Sequence, residues 1–281
     1  IKMTVPFEND TGNIVRKLAR KSLKSEKRRN LMVVIAVALA SCLICFSIVM
    51  ALSTRQIEKN HVEDTYEAVY TKITEEDVST LKGLDDFSRV GEYYMLAVEP
   101  AEQGYNASYI YCDEETMYIA RDQMKLLEGR LPQKEDEVVV SRYFLSNYGA
   151  DAGIGEKVML SSESFHGEYT VTGIMEGYKE KEVNGTSILL SKEALKGWSG
   201  YDPADYRAYV HFKNEQQMDE TELTARSREI AKEYQLEMPV MNLSYMKFYK
   251  QPVNVSMLAL VAGIAVLVII CLLYTSPSPR D

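Results

Sequence analysis

The stretch from Leu31 to Leu52 constrains this chain more than any other. It reads LMVVIAVALASCLICFSIVMAL, 22 residues without a charge, a proline or a glycine. A helix of that length spans roughly 33 Å, which is enough to cross the hydrocarbon core of a bilayer. A buried helix of a soluble protein would need a large apolar surrounding, and a secretory signal peptide has a shorter apolar core that ends at a small-residue cleavage site. Because the flanks are polar and no such site follows, the sequence predicts a retained transmembrane helix over residues 31–53.

The flanking charges predict how this helix is oriented. Residues 1–30 carry nine Lys or Arg against three acidic residues, a net charge of +6. The positive-inside rule places such a segment in the cytoplasm, so that residues 54–252 lie outside the membrane. Asn13 is a candidate N-cap for a basic amphipathic helix whose apolar face includes Ile14 and Leu18. We expect this helix to rest on the lipid of the inner leaflet, the alternative being a disordered topogenic tail.

The formal net charge of −9 is unevenly divided along the chain. The basic segment contributes +6 and the apolar runs contribute nothing, which leaves −15 in the outer segment, residues 54–252. An acidic outer segment argues against nucleic-acid binding, which needs a basic face. At about 200 residues it is long enough to bury its own core. Cys112 is its only cysteine, so no internal disulfide is expected.

The outer segment alternates strand-like and helix-like stretches, which predicts an α+β domain. Residues 54–69 are expected to prolong the transmembrane helix as a stalk. Thr74 and Asp77 have the spacing of a capping box, which predicts a short helix ending at Gly83. Residues 118–127 mix periodicities and receive no assignment. Further strands are predicted over 87–98, 108–112, 137–140, 157–160, 168–175, 186–190 and 206–212, and further helices over 142–148, from Ser191, and over 217–236 with Met218, Ala225, Ile230 and Tyr234 toward the core.

A second apolar run, VNVSMLALVAGIAVLVII, covers residues 253–270 and predicts a second transmembrane helix that returns to the cytoplasm. The residues after it, CLLYTSPSPRD, resemble a translated adapter used in preparing sequencing libraries rather than the end of a membrane helix. We therefore expect residues 271–281 to be an artefact and the natural sequence to stop near Ile270. On that expectation the second helix is truncated and the chain is a fragment.

The sequence offers no pattern typical of catalysis or of a cofactor or metal site. The motif G-x-x-x-x-G-K-[ST] is absent, which excludes ATP binding through a P-loop. His61, His166 and His211 are isolated, and no pair has the spacing of metal ligands. We therefore assign no catalytic, cofactor-binding or metal-binding residue and expect the chain itself not to be an enzyme.

The aromatic residues of the outer segment have two expected roles. Tyrosines at positions 93, 94, 109 and 111 are expected to pack on strands rather than to form a ligand cage. Three others, Tyr245, Phe248 and Tyr249, come shortly before the second apolar run. Aromatic side chains at such positions are typical of the belt at a membrane–water interface.

Two stretches of the chain carry a more specific pattern. One reads GRLPQKEDEVVVSRYFLSNYGADAGIGEKVML and is followed by GEYTVTGIMEGY, and the other is the basic stretch NIVRKLARKSLKSEKRRN. The first resembles the outer-domain signature of FtsX/MacB-type permeases of ABC transporters, and the second resembles their pre-membrane helix in Gram-positive members. The signature has a structural sense, because Gly129, Pro132 and Gly155 set turns, Ser141 caps a helix and Gly173 permits close approach.

The resemblance implies a membrane protein whose transmembrane helices flank an α+β extracytoplasmic domain, the MacB-like periplasmic core domain. It implies a permease subunit in the cell membrane, partnered by a cytoplasmic ABC ATPase subunit and assembled as a permease dimer or pseudo-dimer. Peptide, lipoprotein and lipid substrates all remain open. Two other classes stay possible, a two-span sensor or receptor with an extracellular ligand-binding domain and a division-type membrane scaffold. An output domain encoded beyond Ile270 would identify the sensor, whereas further spans favour the permease.

Overall fold

The computed structural model describes residues 11–25, 27–121, 123–148, 152–177 and 180–250, together with residues 263, 264 and 266. The chain divides into two compact units, Ile1–Gln56 with Val253–Asp281 and Ile57–Pro252. We name the latter the outer unit. Most of the predicted second transmembrane helix, residues 253–270, and all of residues 271–281 lie outside the described residues.

Helix α1 spans Thr11–Ser25. The side chains of Ile14, Val15 and Leu18 are exposed on it, and basic residues occupy the positions between them. The predicted N-cap at Asn13 is wrong, because the helix already includes Thr11 and Asn13 therefore lies within its first turn. The predicted amphipathic helix is nevertheless present.

Helix α2 spans Lys27–Val62 and contains the apolar stretch on which the sequence interpretation rests. Among the described residues one helical stretch, Val37–Asn60, is long and apolar enough to cross a membrane, and none of its apolar window is buried. The predicted stalk over residues 54–69 is wrong beyond Val62. Asp64 adopts a left-handed conformation with φ 52°, which ends the helix, and the chain then enters a strand.

The outer unit contains ten strands and seven further helices among the described residues, together with one 3₁₀ turn and one π-helical turn. The strands are β1 Ala68–Ile73, β2 Phe87–Pro100, β3 Asn106–Cys112, β4 Met124–Gly129, β5 Glu137–Ser141, β6 Lys157–Ser161, β7 His166–Gly177, β8 Gly185–Leu190, β9 Tyr206–Phe212 and β10 Val240–Met241. The helices are α3 Glu75–Lys82, α4 Glu114–Ile119, α5 Arg142–Asn147, α6 Glu180–Val183, α7 Lys192–Gly197, α8 Glu220–Glu233 and α9 Leu243–Tyr245, with the 3₁₀ turn at Glu215–Gln217 and the π-helical turn at Met246–Lys250.

All ten strands belong to one mixed sheet. Its order is β10-β1-β9-β2-β3-β8-β5-β7-β4, and β6 pairs separately with β7. The pairs β3–β8 and β5–β7 are parallel, and the other pairs are antiparallel. The domain is therefore α+β, as predicted.

Hydrophobic side chains fill both faces of the sheet, because successive residues of a strand point to opposite sides. On β9, Tyr206, Ala208 and Val210 contribute to one core and Tyr209 contributes to the other. The first core is covered by residues of α3, α5, α7 and α8, and the second by residues of α4. A central strand is covered on both faces, which explains why all residues of Glu137–Ser141 are buried and why three consecutive valines occupy its middle.

Side-chain caps fix where several helices begin. Thr74 and Asp77 form the predicted capping box of α3, and Ser141 and Ser191 cap α5 and α7. The helix predicted over 217–236 begins only at Glu220, because Asp219 caps it.

Three of the four residues predicted to face the core do so, since Ile230 is buried and Met218 and Tyr234 pack partly buried against the first core. Leu223, Ser227, Ile230 and Ala231 are buried, whereas Ala225, predicted to face the core, is exposed.

The other corrections are local. Residues 118–127, which received no assignment, end α4 and begin β4. Tyr245, predicted to lie in an interfacial belt, is 3% exposed and belongs to the first core.

Candidate functional site

The two chain connections of the outer unit meet at one edge of its sheet. Strand β1 follows the end of α2, and β10 precedes the residues that lead out toward position 253. These strands pair antiparallel, with Ala68 opposite Met241 and Val69 opposite Val240. We name this region the junction and define it as residues 62–69, 211–212 and 240–245. Residues 62–69 lead into the outer unit, and residues 240–245, which we name the outgoing segment, lead out of it. The two are thus joined directly by backbone hydrogen bonds.

Glu67 lies at the centre of the junction and is fully buried. One carboxylate oxygen is 2.7 Å from Nδ1 of His211, and the other accepts a 2.7 Å hydrogen bond from the backbone N–H of Phe212. Its backbone N–H donates to the carbonyl of Val210, and its own carbonyl accepts from the N–H of Asn242. Through one residue, β1 is therefore tied to β9 and to the outgoing segment.

The side chain of Asn242 adds further hydrogen bonds between the outgoing segment and the residues before β1. Its side-chain N–H donates to the carbonyl of Tyr66 at 3.0 Å, and its side-chain oxygen accepts from the backbone N–H groups of Ser244 and Tyr245. Asn242 thus caps α9 while it is bonded to the residue before Glu67. The start of α9 is positioned by the same contacts that position β1.

The end of α2 is also held within the outer unit. The hydroxyl of Thr65 donates to the carbonyl of Val62 at 2.8 Å, which satisfies one of the carbonyls left free at a helix end. Arg121, just after α4, donates to the carbonyl of Glu63 and forms an ion pair with Asp64 at 3.6 Å. The residues that follow α2 are thereby bonded back to its last residue and, through Arg121, to the end of α4.

Burial and charge act in opposite directions on the pKa values of Glu67 and His211. Burial raises the pKa of Glu67, and its hydrogen bond and charge interaction with His211 only partly offset that effect. Burial disfavours the charged form of His211, but the hydrogen bond and charge of Glu67, together with the charges of Glu215 and Asp64, outweigh it and raise the pKa of His211 above its ordinary 6.5. The pair therefore holds its proton to a higher pH than an isolated histidine does.

A second charged cluster ties helices to the middle of the sheet. Glu92 on β2 is 2.6 Å from Nζ of Lys192 on α7, and the same ammonium is 2.7 Å from Glu75 on α3. Lys82 pairs with Asp113, the N-cap residue of α4, at 2.9 Å. Because every charge in this cluster has an opposite partner, it fits a structural role rather than a catalytic one.

The signature recognised in the sequence forms a third structural element. A Cβ added to Gly173 would lie 2.8 Å from the carbonyl oxygen of Arg130, and Gly129 has φ 83°. Arg130 also forms a two-pronged ion pair with Glu137, which the sequence analysis did not anticipate. The signature residues hold β4, β5 and β7 together.

The structure also places the residues that the sequence analysis considered and set aside. His166 and His211 are on different strands, and no group of His, Cys, Asp or Glu within the described residues could hold a metal ion. Tyr93, Tyr94 and Tyr109 are buried on strands. Cys112 is buried as well, and burial raises the pKa of its thiol.

Sequence reasoning missed the junction itself. His211 appeared isolated because its partner lies 144 positions away. One signal was available, since Glu67 directly precedes the strand-like run Ala68–Ile73. The predicted stalk, residues 54–69, took in the first two residues of that run, and the rest of it received no assignment.

An α+β domain that follows a long apolar helix in the chain, and whose first and last strands pair with each other, defines a class of protein, a membrane protein with an inserted extracytoplasmic domain. Residues 31–228 match the MacB-like periplasmic core domain family. The chain belongs to that family, and the resemblance to FtsX/MacB-type ABC transporter permeases is confirmed. It is a permease-type component of an ABC transporter.

Solved structures of similar fold include three from bacteria. The extracellular domain of the noncanonic ABC-type transporter YknZ from Gram-positive bacteria is 15% identical, with a TM-score of 0.45, over 63% of this chain and 100% of that one. The periplasmic region of MacB from Actinobacillus actinomycetemcomitans is 11% identical, with a TM-score of 0.45, over 66% and 92%. A domain of a putative permease protein from Porphyromonas gingivalis is 16% identical, with a TM-score of 0.43, over 69% and 96%. No curated protein matches the chain.

Proposed function

We propose that this chain is the permease subunit of an ABC transporter that couples ATP hydrolysis by a separate cytoplasmic ATPase to the movement of its outer unit. The observation that carries the proposal is the way the last residues of α2 are built into the junction. Family membership supports a role in a transporter. The contacts between the end of α2 and the outer unit support mechanical coupling. The chain needs no catalytic residue for this role.

The coupling follows from rigid elements. A packed sheet does not deform continuously, so a displacement of α2 acts on β1 through Thr65 and Glu67 and on α4 through Arg121. Asn242 carries the same displacement into the outgoing segment. The outer unit then moves as a body between two positions, each favoured by a different state of the ATPase.

We also propose the following topology. Residues 1–30 are cytoplasmic, residues 31–53 form the first transmembrane helix, residues 54–252 form the extracytoplasmic domain and residues 253–270 form a second transmembrane helix. Helix α1, with its exposed Ile14, Val15 and Leu18, rests on the inner leaflet. Peptides, lipoproteins and lipids are the candidate substrates, and the working assembly is a permease dimer or pseudo-dimer.

The topology can be tested with cysteines placed at two exposed positions. Lys21→Cys lies on α1 and Val98→Cys on β2, where Val98 is 60% exposed. With Cys42 and Cys45 replaced by alanine, and with the buried Cys112 left in place, a membrane-impermeant maleimide should label only Val98→Cys in sealed cells and both after permeabilisation. Labelling of Lys21→Cys in sealed cells would overturn the orientation.

The partner can be tested by affinity purification of the complete gene product from its native host. An ABC ATPase should co-purify, and its ATPase activity should change when the permease is present. A control purification from cells expressing only residues 57–252 should yield no ATPase, because the proposed contact is cytoplasmic. Recovery of a sensor kinase or cyclase domain on the same polypeptide, with no ATPase, would contradict the proposal.

A further inference from the structure

One ionisable contact holds three segments of the chain together at the junction. Glu67 is the most buried of the acidic side chains that the structure describes, and it binds His211 and the Phe212 N–H of β9. Its backbone carbonyl binds Asn242 of the outgoing segment. A buried carboxylate is stable only while its charge is neutralised or fully bonded. The charge state of His211 therefore bears directly on how firmly the junction closes.

The His211 ring has access to solvent protons. It lines a shallow, polar depression of about 420 Å³ that also includes Ser88 and the residues from Phe212 to Gln217. The His211 side chain is 14% exposed, and the Ser88 hydroxyl donates to the backbone carbonyl of His211 rather than to the ring. The proton on the pair can therefore exchange with the outside without unfolding of the domain.

Ionisable groups on each neighbouring element surround His211. Asp64 at the end of α2 and Glu215 after β9 act on His211 and favour its charged form. Arg89 lies opposite His211 on β2, but its guanidinium is engaged with Glu115 at 2.7 Å. Lys213 pairs with Asp85. From α9, the Tyr245 side chain interacts with Glu67 and Glu215, and its hydroxyl does not titrate near neutral pH.

We infer that Glu67 and His211 form a protonation-dependent latch, which holds β9 and the outgoing segment on β1 while the pair carries a proton and loosens when the proton leaves. With His211 charged, Glu67 has an opposite charge beside it and a backbone N–H on its other oxygen. With His211 neutral, Glu67 keeps a full charge in a buried position and has only neutral partners. Opening then becomes easier, because it returns that charge to water.

The direction of the pH effect follows from the raised pKa of His211. Its contribution to closure is fully present below pH 6.5, its ordinary value, and is lost as the pH rises through the higher value that it has in the closed junction. An acidic exterior therefore locks the junction and an alkaline one loosens it. The inference concerns the outer unit alone and does not depend on which substrate is transported.

Hydrogen exchange on the full chain in lipid nanodiscs tests the latch. The Phe212 and Asn242 amides, which bond to Glu67, should lose protection between pH 5.5 and pH 8.5 after correction for the intrinsic exchange rate. The loss should be about tenfold for each pKa unit by which the closed junction raises His211. His211→Gln and Glu67→Gln should abolish the pH dependence, whereas the control His166→Gln, at an exposed histidine of β7, should keep it.

Two results would overturn the latch. One is protection of these amides that does not change with pH in the natural sequence, and the other is an unchanged pH dependence in His211→Gln. If either junction variant fails to fold, nuclear magnetic resonance of histidine-labelled protein decides the matter. His61→Gln and His166→Gln remove the other two ring signals, and a midpoint for His211 at or below pH 6.5 contradicts the proposal.

Discussion

Arg130 and Glu137 face each other across the turn between β4 and β5 and share two parallel hydrogen bonds of 2.8 and 2.7 Å. The backbone N–H of Gln133 adds a third bond to the same carboxylate, at 2.9 Å. Glu137 is 7% exposed, so it lies at the boundary of the core with all of these donors directed at it. The guanidinium of Arg130 and the Gln133 N–H hold the pKa of Glu137 well below its usual range, at about 2.

We predict that Glu137→Gln lowers the free energy of unfolding by about 1–3 kcal/mol at pH 7, because it removes a charge-assisted pair and leaves Arg130 without its partner. The folded-state pKa of Glu137 is depressed, so its stabilisation is complete above pH 4.5 and is lost as the pH falls toward 2. The difference between the variant and the natural sequence should therefore shrink between pH 5 and pH 3. Urea unfolding at each pH measures it.

Glu135→Gln is the matched control for this prediction. Glu135 lies two residues earlier in the same turn and is exposed. Its replacement should change stability by less than about 0.5 kcal/mol at any pH. An equal effect of the two substitutions would show that the pairing with Arg130 does not stabilise the turn.

We predict that Thr74→Ala lowers stability by about 1 kcal/mol. The Thr74 hydroxyl accepts from the Asp77 N–H, and the Asp77 carboxylate accepts from the Thr74 N–H, so the substitution breaks the capping box that begins α3. Thr80→Ala, at an exposed position of the same helix, serves as the control and should be nearly neutral. Thermal unfolding followed by circular dichroism distinguishes the two, and similar losses would contradict the role of the cap.

We predict that Gly173→Ala lowers stability by about 1–3 kcal/mol, because overpacking forces the backbone apart. An added Cβ would lie 2.8 Å from the Arg130 carbonyl oxygen and 3.0 Å from that of Glu128, and neither is the end of a flexible side chain. At Gly153 the added Cβ would meet only a Glu156 carboxylate oxygen at 3.8 Å, so Gly153→Ala is the control. A neutral Gly173→Ala would mean that β4 and β7 lie farther apart than described.

The parts of the fold that the sequence predicts correctly are the local ones. The turn at Gly155, the caps at Thr74 and Ser141 and the strand Tyr206–Phe212 each depend on residues within a few positions of one another. Propensity and hydrogen bonding to neighbouring backbone decide such features, and both can be read from a short window. Arg130 and Glu137 are also close in sequence, yet their ion pair depends on the geometry of the turn between them and was missed.

The junction could not be predicted because its contacts are distant in sequence. Glu67 and His211 are 144 positions apart, and Tyr66 and Asn242 are 176 apart. The predicted stalk ended at residue 69, inside β1, and the rest of β1 received no assignment, because the strand character of β1 depends on pairing with β9 and β10. Tertiary pairing overrides local preference in such cases. The start of α8 was predicted too early, at residue 217, because the cap at Asp219 was not recognised.

Helix α1 leads to a prediction about lipid. The peptide Thr11–Ser25 has five basic residues and no acidic one. We predict that it binds vesicles containing anionic lipid and becomes helical there, and that Lys21→Gln weakens binding by about 1 kcal/mol on anionic vesicles only. Leu18→Ser should weaken binding to every vesicle, since it removes apolar contact. Circular dichroism during vesicle titration measures both effects, and equal binding to neutral and anionic vesicles would contradict the charge contribution.

The pairing of β1 with β10 leads to a prediction about the outer unit as a whole. Residues 57–252 contain both cores and both strands of the junction, and β1 near the start of the segment pairs with β10 near its end. We predict that this segment, expressed alone, is soluble and unfolds in one cooperative transition. Residues 57–236 should be much less stable, because they lack Asn242, which bonds to Tyr66 and Glu67, and the buried Tyr245 and Met246. A broad, non-cooperative melt of residues 57–252, or equal stability of the two segments, would show that the junction does not close the domain.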